Sequence, residues 1–257
     1  MNHKKLSTIN IIKVYKWLFI DQCYLCRASS RKALCSFCQA GFNRNHFACS
    51  LCKRPNNKSY DLICGQCQVS PPPYDACLAP LRFEGLTQHL IHGIKFQQQA
   101  HYIRPLIQLL CETLHEHYGA INHWPSQIVF VPSHPLRIKE RGFCQTQLMA
   151  SELYQTLLLQ LGELAPKYSK QSPIKKTSHT PAQHTLSKKK RIENQQGVYR
   201  IEGEIEDHVA LFDDVMTSGS TLESCTKLLK KAGAKQVDIW VIARTPEKND
   251  SLNTTRK

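Results

Sequence analysis

The chain lacks any apolar run long enough to cross a bilayer. The best candidate, residues 9–20, is interrupted by Lys13 and Lys16 and falls well short of the roughly 20 residues that a spanning helix needs. No small-residue cleavage site follows it, so it is not expected to act as a signal peptide. Acidic residues are scarce: 20 Asp and Glu stand against 34 Lys and Arg, for a formal net charge of +14. Glycine is scarce too, at 11 of 257 residues, which excludes a collagenous chain. An apolar content of 41% with charges of both signs excludes an intrinsically disordered one. The expectation is a cytoplasmic protein with no membrane insertion, built as one large domain or a medium domain plus a small one.

Cysteine, by contrast, is plentiful, with 12 in the chain. A reducing cytosol does not sustain a disulfide framework, so metal ligation becomes the first reading. The first third contains four C-x-x-C pairs: Cys23 with Cys26, Cys35 with Cys38, Cys49 with Cys52, and Cys64 with Cys67. Random placement would give only about 0.5 such pairs. Two thiolates on one tight turn can both reach a Zn²⁺ at about 2.3 Å, and a second pair completes a closed tetrahedron. Eight sulfurs therefore predict two structural Zn²⁺ ions in a small double zinc ribbon over residues 21–70. Sequential grouping, Cys23/Cys26/Cys35/Cys38 and Cys49/Cys52/Cys64/Cys67, closes the shortest loops; interleaved grouping is the alternative. A four-thiolate site leaves no open position for catalysis. Arg27, Arg31, Lys32, Arg44, Lys53, Arg54 and Lys58 alternate here with Tyr24, Phe37, Phe42 and Phe47. That composition suits nucleic-acid contact, and equally a solvated basic face. Cys77, Cys111, Cys144 and Cys225 are left as ordinary thiols.

Ser70-Pro71-Pro72-Pro73 is a stiff break and marks the expected boundary of a second domain over residues 74–246. Beyond it, strand-like segments at 76–83, 127–131, 208–212 and 236–243 alternate with helix-like ones at 85–96, 102–118, 146–161 and 221–232. This order predicts an α/β fold, a mostly parallel sheet with helices on both faces. Its ligand site is expected beyond the carboxyl ends of the strands. Residues 167–191 break the pattern: they hold eight Lys and Arg and no acidic residue, and a loop of this length in a compact domain is functional or disordered. The flexible basic loop is taken to extend to residue 196, and residues 1–20 and 247–257 read as terminal segments.

The sharpest motif is Leu211-Phe212-Asp213-Asp214-Val215-Met216-Thr217-Ser218-Gly219-Ser220-Thr221. An apolar strand delivers two carboxylates, and a hydroxyl-rich turn around one glycine opens a helix. Gly219 is expected to turn with positive φ, while the helix N-terminus offers amides and positive potential to a phosphate. Ser220 and Glu223 have capping-box spacing. The carboxylates are placed to accept hydrogen bonds from sugar hydroxyls.

Residues 213–221 resemble the phosphoribosyl pyrophosphate loop of type I phosphoribosyltransferases. That resemblance implies ribose contacts from Asp213 and Asp214, and phosphate contacts from Thr217, Ser218, Gly219, Ser220 and Thr221. A second stretch, Val131-Pro132-Ser133-His134-Pro135-Leu136-Arg137-Ile138-Lys139-Glu140-Arg141-Gly142-Phe143-Cys144-Gln145, is similar to the V-P-x-x-x-x-R-x-x-x-R-G-F-N-Q signature of the ComF family, the ComFC-like and GntX-like proteins. Leu90-Ile91-His92-Gly93-Ile94-Lys95-Phe96 and residues 183–194 resemble two further stretches of that family, so the likeness spans residues 23–244. Position 144 is Cys where the family pattern has Asn.

The family resemblance implies a double zinc ribbon before a phosphoribosyltransferase-like domain, with Ser133, His134, Arg137 and Arg141 at the pyrophosphate and Mg²⁺ accompanying the ligand. It also implies that the basic loop folds over the substrate. Two functions follow. One is a competence factor that handles incoming single-stranded DNA, with Lys188, Lys189, Lys190 and Arg191 as nucleic-acid contacts and other competence proteins as partners. The other is an active phosphoribosyltransferase of unidentified acceptor.

Overall fold

The computed structural model describes residues 22–32, 34–56, 62–119, 123–133, 138–139, 142–176 and 198–246. The chain divides into two compact units, Met1–Gly41 and Phe42–Lys257.

In the smaller unit, the Arg27 amide donates to the Cys23 carbonyl (2.9 Å), closing a tight turn with Arg27 at φ +63°. The one-turn helix α1 (Ser36–Ala40) follows, and its N-cap residue Cys35 accepts a hydrogen bond from the Cys38 amide at Sγ.

The larger unit opens with the short helix α2 (Gly65–Val69). Strands β1 (Ala76–Leu78) and β2 (Leu81–Arg82) come next, then α3 (Gly85–Phe96), α4 (Ile103–Tyr118) and β3 (Gln127–Phe130). The helix α5 (Gln145–Leu161) leads to β4 (Lys167–Tyr168), β5 (Ile174–Lys176) and β6 (Tyr199–Ile201). The strand β7 (His208–Met216), α6 (Ser220–Lys231) and β8 (Gln236–Arg244) complete the unit. The main sheet runs β1-β8-β7-β3-β4, with β2 also on β8, and every pairing in it is parallel. The separate β5–β6 pair is antiparallel.

Parallel strands covered on both faces need near-continuous apolar sequence, and β7 and β8 supply it. Val209, Leu211, Val237, Ile239 and Val241 share a buried cluster with Leu222, Cys225 and Leu229 of α6. The alternate residues of the same strands face the other way, where Tyr118 of α4 donates to Asp238 (2.6 Å) and Trp240 donates to Tyr118 (3.0 Å). Asp238 also pairs with His208 at 2.8 Å. This network sits at the amino ends of the central strands, and burial followed by the Asp238 charge pushes the Tyr118 phenol up. Helices thus lie on both faces of the sheet.

Three elements depart from the sequence reading. The strand expected over 76–83 breaks at Pro80, which has no N–H for the ladder. The β7 strand continues to Met216, past the acidic pair. The pattern-breaking segment begins as strand: Lys167–Tyr168 pairs with β3, and Ile174–Lys176 with β6.

The compact division falls at Gly41/Phe42, ahead of the proline run. Its cause is a set of bonds along β2: Arg82 N–H to the Asn43 carbonyl (2.9 Å) and Asn45 N–H to the Pro80 carbonyl (2.8 Å). The segment carrying the second pair of knuckles therefore covers a sheet edge, and Cys49, Cys52 and Cys67 are buried in the cluster that holds β7, β8 and α6.

Candidate functional site

Two crossovers define the crevice. From β3 the chain passes through α5 to β4 on one side of the sheet order, and from β7 it passes through α6 to β8 on the other. Loops after β3 and β7 therefore leave in opposite directions, the place in an open α/β sheet where a ligand crevice is expected, at the carboxyl ends of the two strands. The sequence-predicted residues gather there. Asp213 and Asp214 lie near the end of β7; Thr217, Ser218 and Gly219 form the turn; Ser220 and Thr221 start α6. Ser133 follows β3, whose end is tied to β7 by Val131 N–H to the Phe212 carbonyl (2.9 Å). His134, Arg137 and Arg141 lie outside the described residues, as do Lys188, Lys189, Lys190 and Arg191.

Gly219 has φ +86°, as expected of the turn, and a Cβ there would approach the Met216 Cε to 2.8 Å. The capping box does not form: Gly219 occupies the N-cap without a side-chain bond, and Ser220 is already helical. Ser220 instead shares its hydroxyl with Ser218 at 2.9 Å. Thr217 and Ser218 are exposed, and the first-turn amides of a twelve-residue helix lack intrahelical acceptors, which leaves them to an anion.

Strand alternation splits the acidic pair. Asp214 is buried on the α5 face, held by Lys95 Nζ at 2.7 Å and by Gln145 Nε2 at 3.1 Å. Asp213 lies on the α6 face, where its charge acts on buried Cys225. Burial, then the neighbouring Asp214 carboxylate, pushes Asp213 up to about 8, against the Asp214 amide, Lys95 and Lys176. Lys95 and Gln145 received no role from sequence. The available signal was that Lys95 is the only Lys, Arg, Asp or Glu in the twelve residues of α3, an uncompensated cation on an amphipathic helix.

The raised Asp213 value has a stability consequence. The acid ionises near 3.8 in its ordinary state, so holding it neutral in the fold costs stability increasingly as pH rises from there toward 8. Asp213→Asn is therefore expected to melt higher than the parent, by about 2–4 °C at pH 8. The gap should shrink toward pH 5, and a pH-independent gap in calorimetric melting would contradict the assignment.

The eight paired cysteines form two groups, Cys23/Cys26/Cys35/Cys38 and Cys49/Cys52/Cys64/Cys67, and within each the four Sγ atoms lie within 4.8 Å of one another. Sequential grouping is thus observed. The Cys26–Cys35 and Cys52–Cys64 sulfurs are 3.6 and 3.7 Å apart, close to the edge of about 3.8 Å of a tetrahedron with 2.3 Å zinc–sulfur bonds. Against burial, which raises it, backbone amides of Cys52, Cys64 and Leu51 bring Cys49 down to about 7. In the first group the amides of Cys26, Cys35 and Leu25 likewise outweigh burial and bring Cys23 to about 6. The donor sets fit Zn²⁺, and metal analysis is expected to return about two ions per chain. Cys35→Ser and Cys64→Ser should each lower that by one, while a single ion in the parent would contradict the sets. The other four cysteines are buried; burial pushes Cys77 and Cys111 up to about 12, in keeping with inert packing.

Comparisons with known proteins agree with this geometry. Residues 140–255 match the phosphoribosyl transferase domain model. The chain is 31% identical over 228 residues to the DNA utilization protein YhgH of Escherichia coli K12, covering 87% of this chain and 96% of that protein. The Salmonella typhi protein of the same name is 30% identical over the same shares. Competence protein F of Haemophilus influenzae is 29% identical over 236 residues, covering 88% of this chain and 98% of that protein. The chain belongs to the ComF family, with a phosphoribosyltransferase-like α/β domain preceded by two four-cysteine clusters.

Proposed function

We propose that the chain is a competence factor that handles incoming single-stranded DNA and binds phosphoribosyl pyrophosphate in the β3–β7 crevice. The observation that carries the reading is the Asp213–Asp214 pair beside an open, hydroxyl-lined helix start, in a chain whose relatives are named for DNA utilization and competence. In this reading Asp213 and Asp214 accept the ribose hydroxyls, while Thr217, Ser218, Gly219, Ser220 and Thr221 take the 5-phosphate. Ser133, His134, Arg137 and Arg141 hold the pyrophosphate. Mg²⁺ arrives with the ligand and neutralises its phosphates. Lys95 stands in for a ligand cation until binding, then swings toward the phosphates.

The alternative is an active phosphoribosyltransferase of unidentified acceptor. In type I enzymes that transfer makes pyrophosphate depart from C1, so pyrophosphate release in the presence of Mg²⁺ and a nucleophile would favour it. The DNA reading is tested by titrating labelled single strands at several salt concentrations. Affinity should fall linearly on a log–log plot with salt, as counterion release requires, and a flat plot would sink an electrostatic DNA mode.

A further inference from the structure

We infer that Arg244 is a positioning residue through which the second cysteine cluster, with its ion, sets the conformation of the phosphate loop; this rests on the ligand reading above. Arg244 ends β8 and is 1% exposed. A buried guanidinium needs its donors matched, yet none of the ion pairs among the described residues includes it. It is satisfied by carbonyls from two distant stretches. Its Nε donates to the Cys52 carbonyl at 3.1 Å, and its Nη1 donates to the Met216 carbonyl at 2.9 Å and to the Thr217 carbonyl. Thr245 reinforces the same strand end, its amide donating to the Met216 carbonyl at 3.1 Å.

Cys52 is one of the four sulfur donors, so its backbone is fixed when the ion is bound. That fixes where the Arg244 fork points, and the fork holds the two carbonyls at which β7 turns into the phosphate loop. The effect reaches Gly219 through the Met216 side chain, whose methyl lies 2.8 Å from where a Gly219 Cβ would stand. A narrow cleft lined by Cys52, Tyr74, Met216, Ser218 and Arg244 separates knuckle and loop. In it the Tyr74 hydroxyl is buried without a hydrogen-bond partner among the described residues. Removing the ion frees the Cys52 carbonyl, strands a buried donor of Arg244, and loosens the turn that presents Thr217 and Ser218.

Amide hydrogen exchange at Glu223 and Thr245, whose amides donate to the Gly219 and Met216 carbonyls of this turn at 2.9 and 3.1 Å, tests this without any ligand. Cys64→Ser, which removes the ion but keeps Cys52, and Arg244→Lys, which keeps the charge but loses the fork, should each speed exchange there about ten-fold. The double variant should go little further, because both changes break one chain of contacts. Protection in the β7 and β8 core should persist, and Cys35→Ser, which removes the other ion, should leave the loop as in the parent. Unchanged exchange in folded Cys64→Ser, or fully additive effects, would overturn the coupling. If Cys64→Ser does not fold, the parent protein decides: with phosphoribosyl pyrophosphate and Mg²⁺ bound, one of the two zinc ions should resist a chelator about ten-fold better, by reciprocity of linkage. Equal loss of both ions while calorimetry shows ligand bound would overturn the coupling. Absence of calorimetric binding would overturn the ligand reading alone, and the exchange result of Arg244→Lys would still decide the coupling.

Discussion

Asp213→Ala combined with Asp214→Ala is expected to weaken phosphoribosyl pyrophosphate binding by about 100-fold or more, measured calorimetrically with Mg²⁺. In the proposed binding mode each carboxyl accepts a hydrogen bond from the ribose; a neutral bond contributes about 0.5–1.5 kcal/mol and one to a charged group about 1.5–3 kcal/mol, and the double variant loses both. The variant also frees Lys95, whose partner in the unliganded chain is Asp214 at 2.7 Å. That free cation would recover part of the loss by attracting phosphate, so the figure of about 100-fold already allows for it. Relief of the unfavourable ionisation at Asp213, held at about 8, opposes the stability lost with the Asp214–Lys95 pair, so the binding comparison is made on variant shown by calorimetric melting to be folded. Functional carboxylates held against their ordinary chemistry commonly trade stability for binding. Binding within about three-fold of the parent would remove both residues from the site.

Neutralising Lys188, Lys189, Lys190 and Arg191 with glutamine is expected to produce the second large effect. The cluster supplies four of the eight cations in residues 167–191. Single-strand counterion release gives a slope of about 0.7 per phosphate contact, so losing four contacts should flatten the salt dependence by about 3. Near 0.1 M salt that corresponds to an affinity loss of about 100-fold or more. With Zn²⁺ in both clusters, each four-thiolate site would contribute about −2 and bring the chain from +14 to about +10, against which residues 167–191 alone hold eight cations. An unchanged slope would assign the DNA contact to other residues, the basic and aromatic stretch around the cysteines being the alternative.

Much of the architecture was legible in sequence because it follows from local rules. The amphipathic run over 85–96 is helix over its whole length, and the apolar runs before Pro132 and through Phe212 are buried parallel strands. The cysteine spacing favoured the grouping that is observed, since short loops close first, and left interleaving as the alternative that the fold removes. Other features depend on tertiary partners. Nothing in the knuckle Cys49-Ser-Leu-Cys52 says that its cysteines are buried against β7 and α6, because a metal turn reads the same whether it stands free or caps a sheet edge. The Lys95–Asp214 pair joins residues far apart in the chain and follows from where α3 lies, which periodicity does not specify. The capping box failed because Gly219 in the left-handed region is itself the start of the helix, displacing Ser220 inward by one position. Arg244 lies one residue beyond the strand expected over 236–243; only the fold shows that it is buried between the Cys49–Cys52 turn and the end of β7.

The central claim is that the phosphoribosyl crevice and DNA handling belong to one function. The most direct measurement is transformation frequency in a naturally competent host lacking its own family member and complemented with this chain. The account predicts that the parent chain restores transformation, and that the Asp213/Asp214 double alanine variant, accumulating to the same level with both zinc ions in place, does not. Full restoration by that variant would contradict the account.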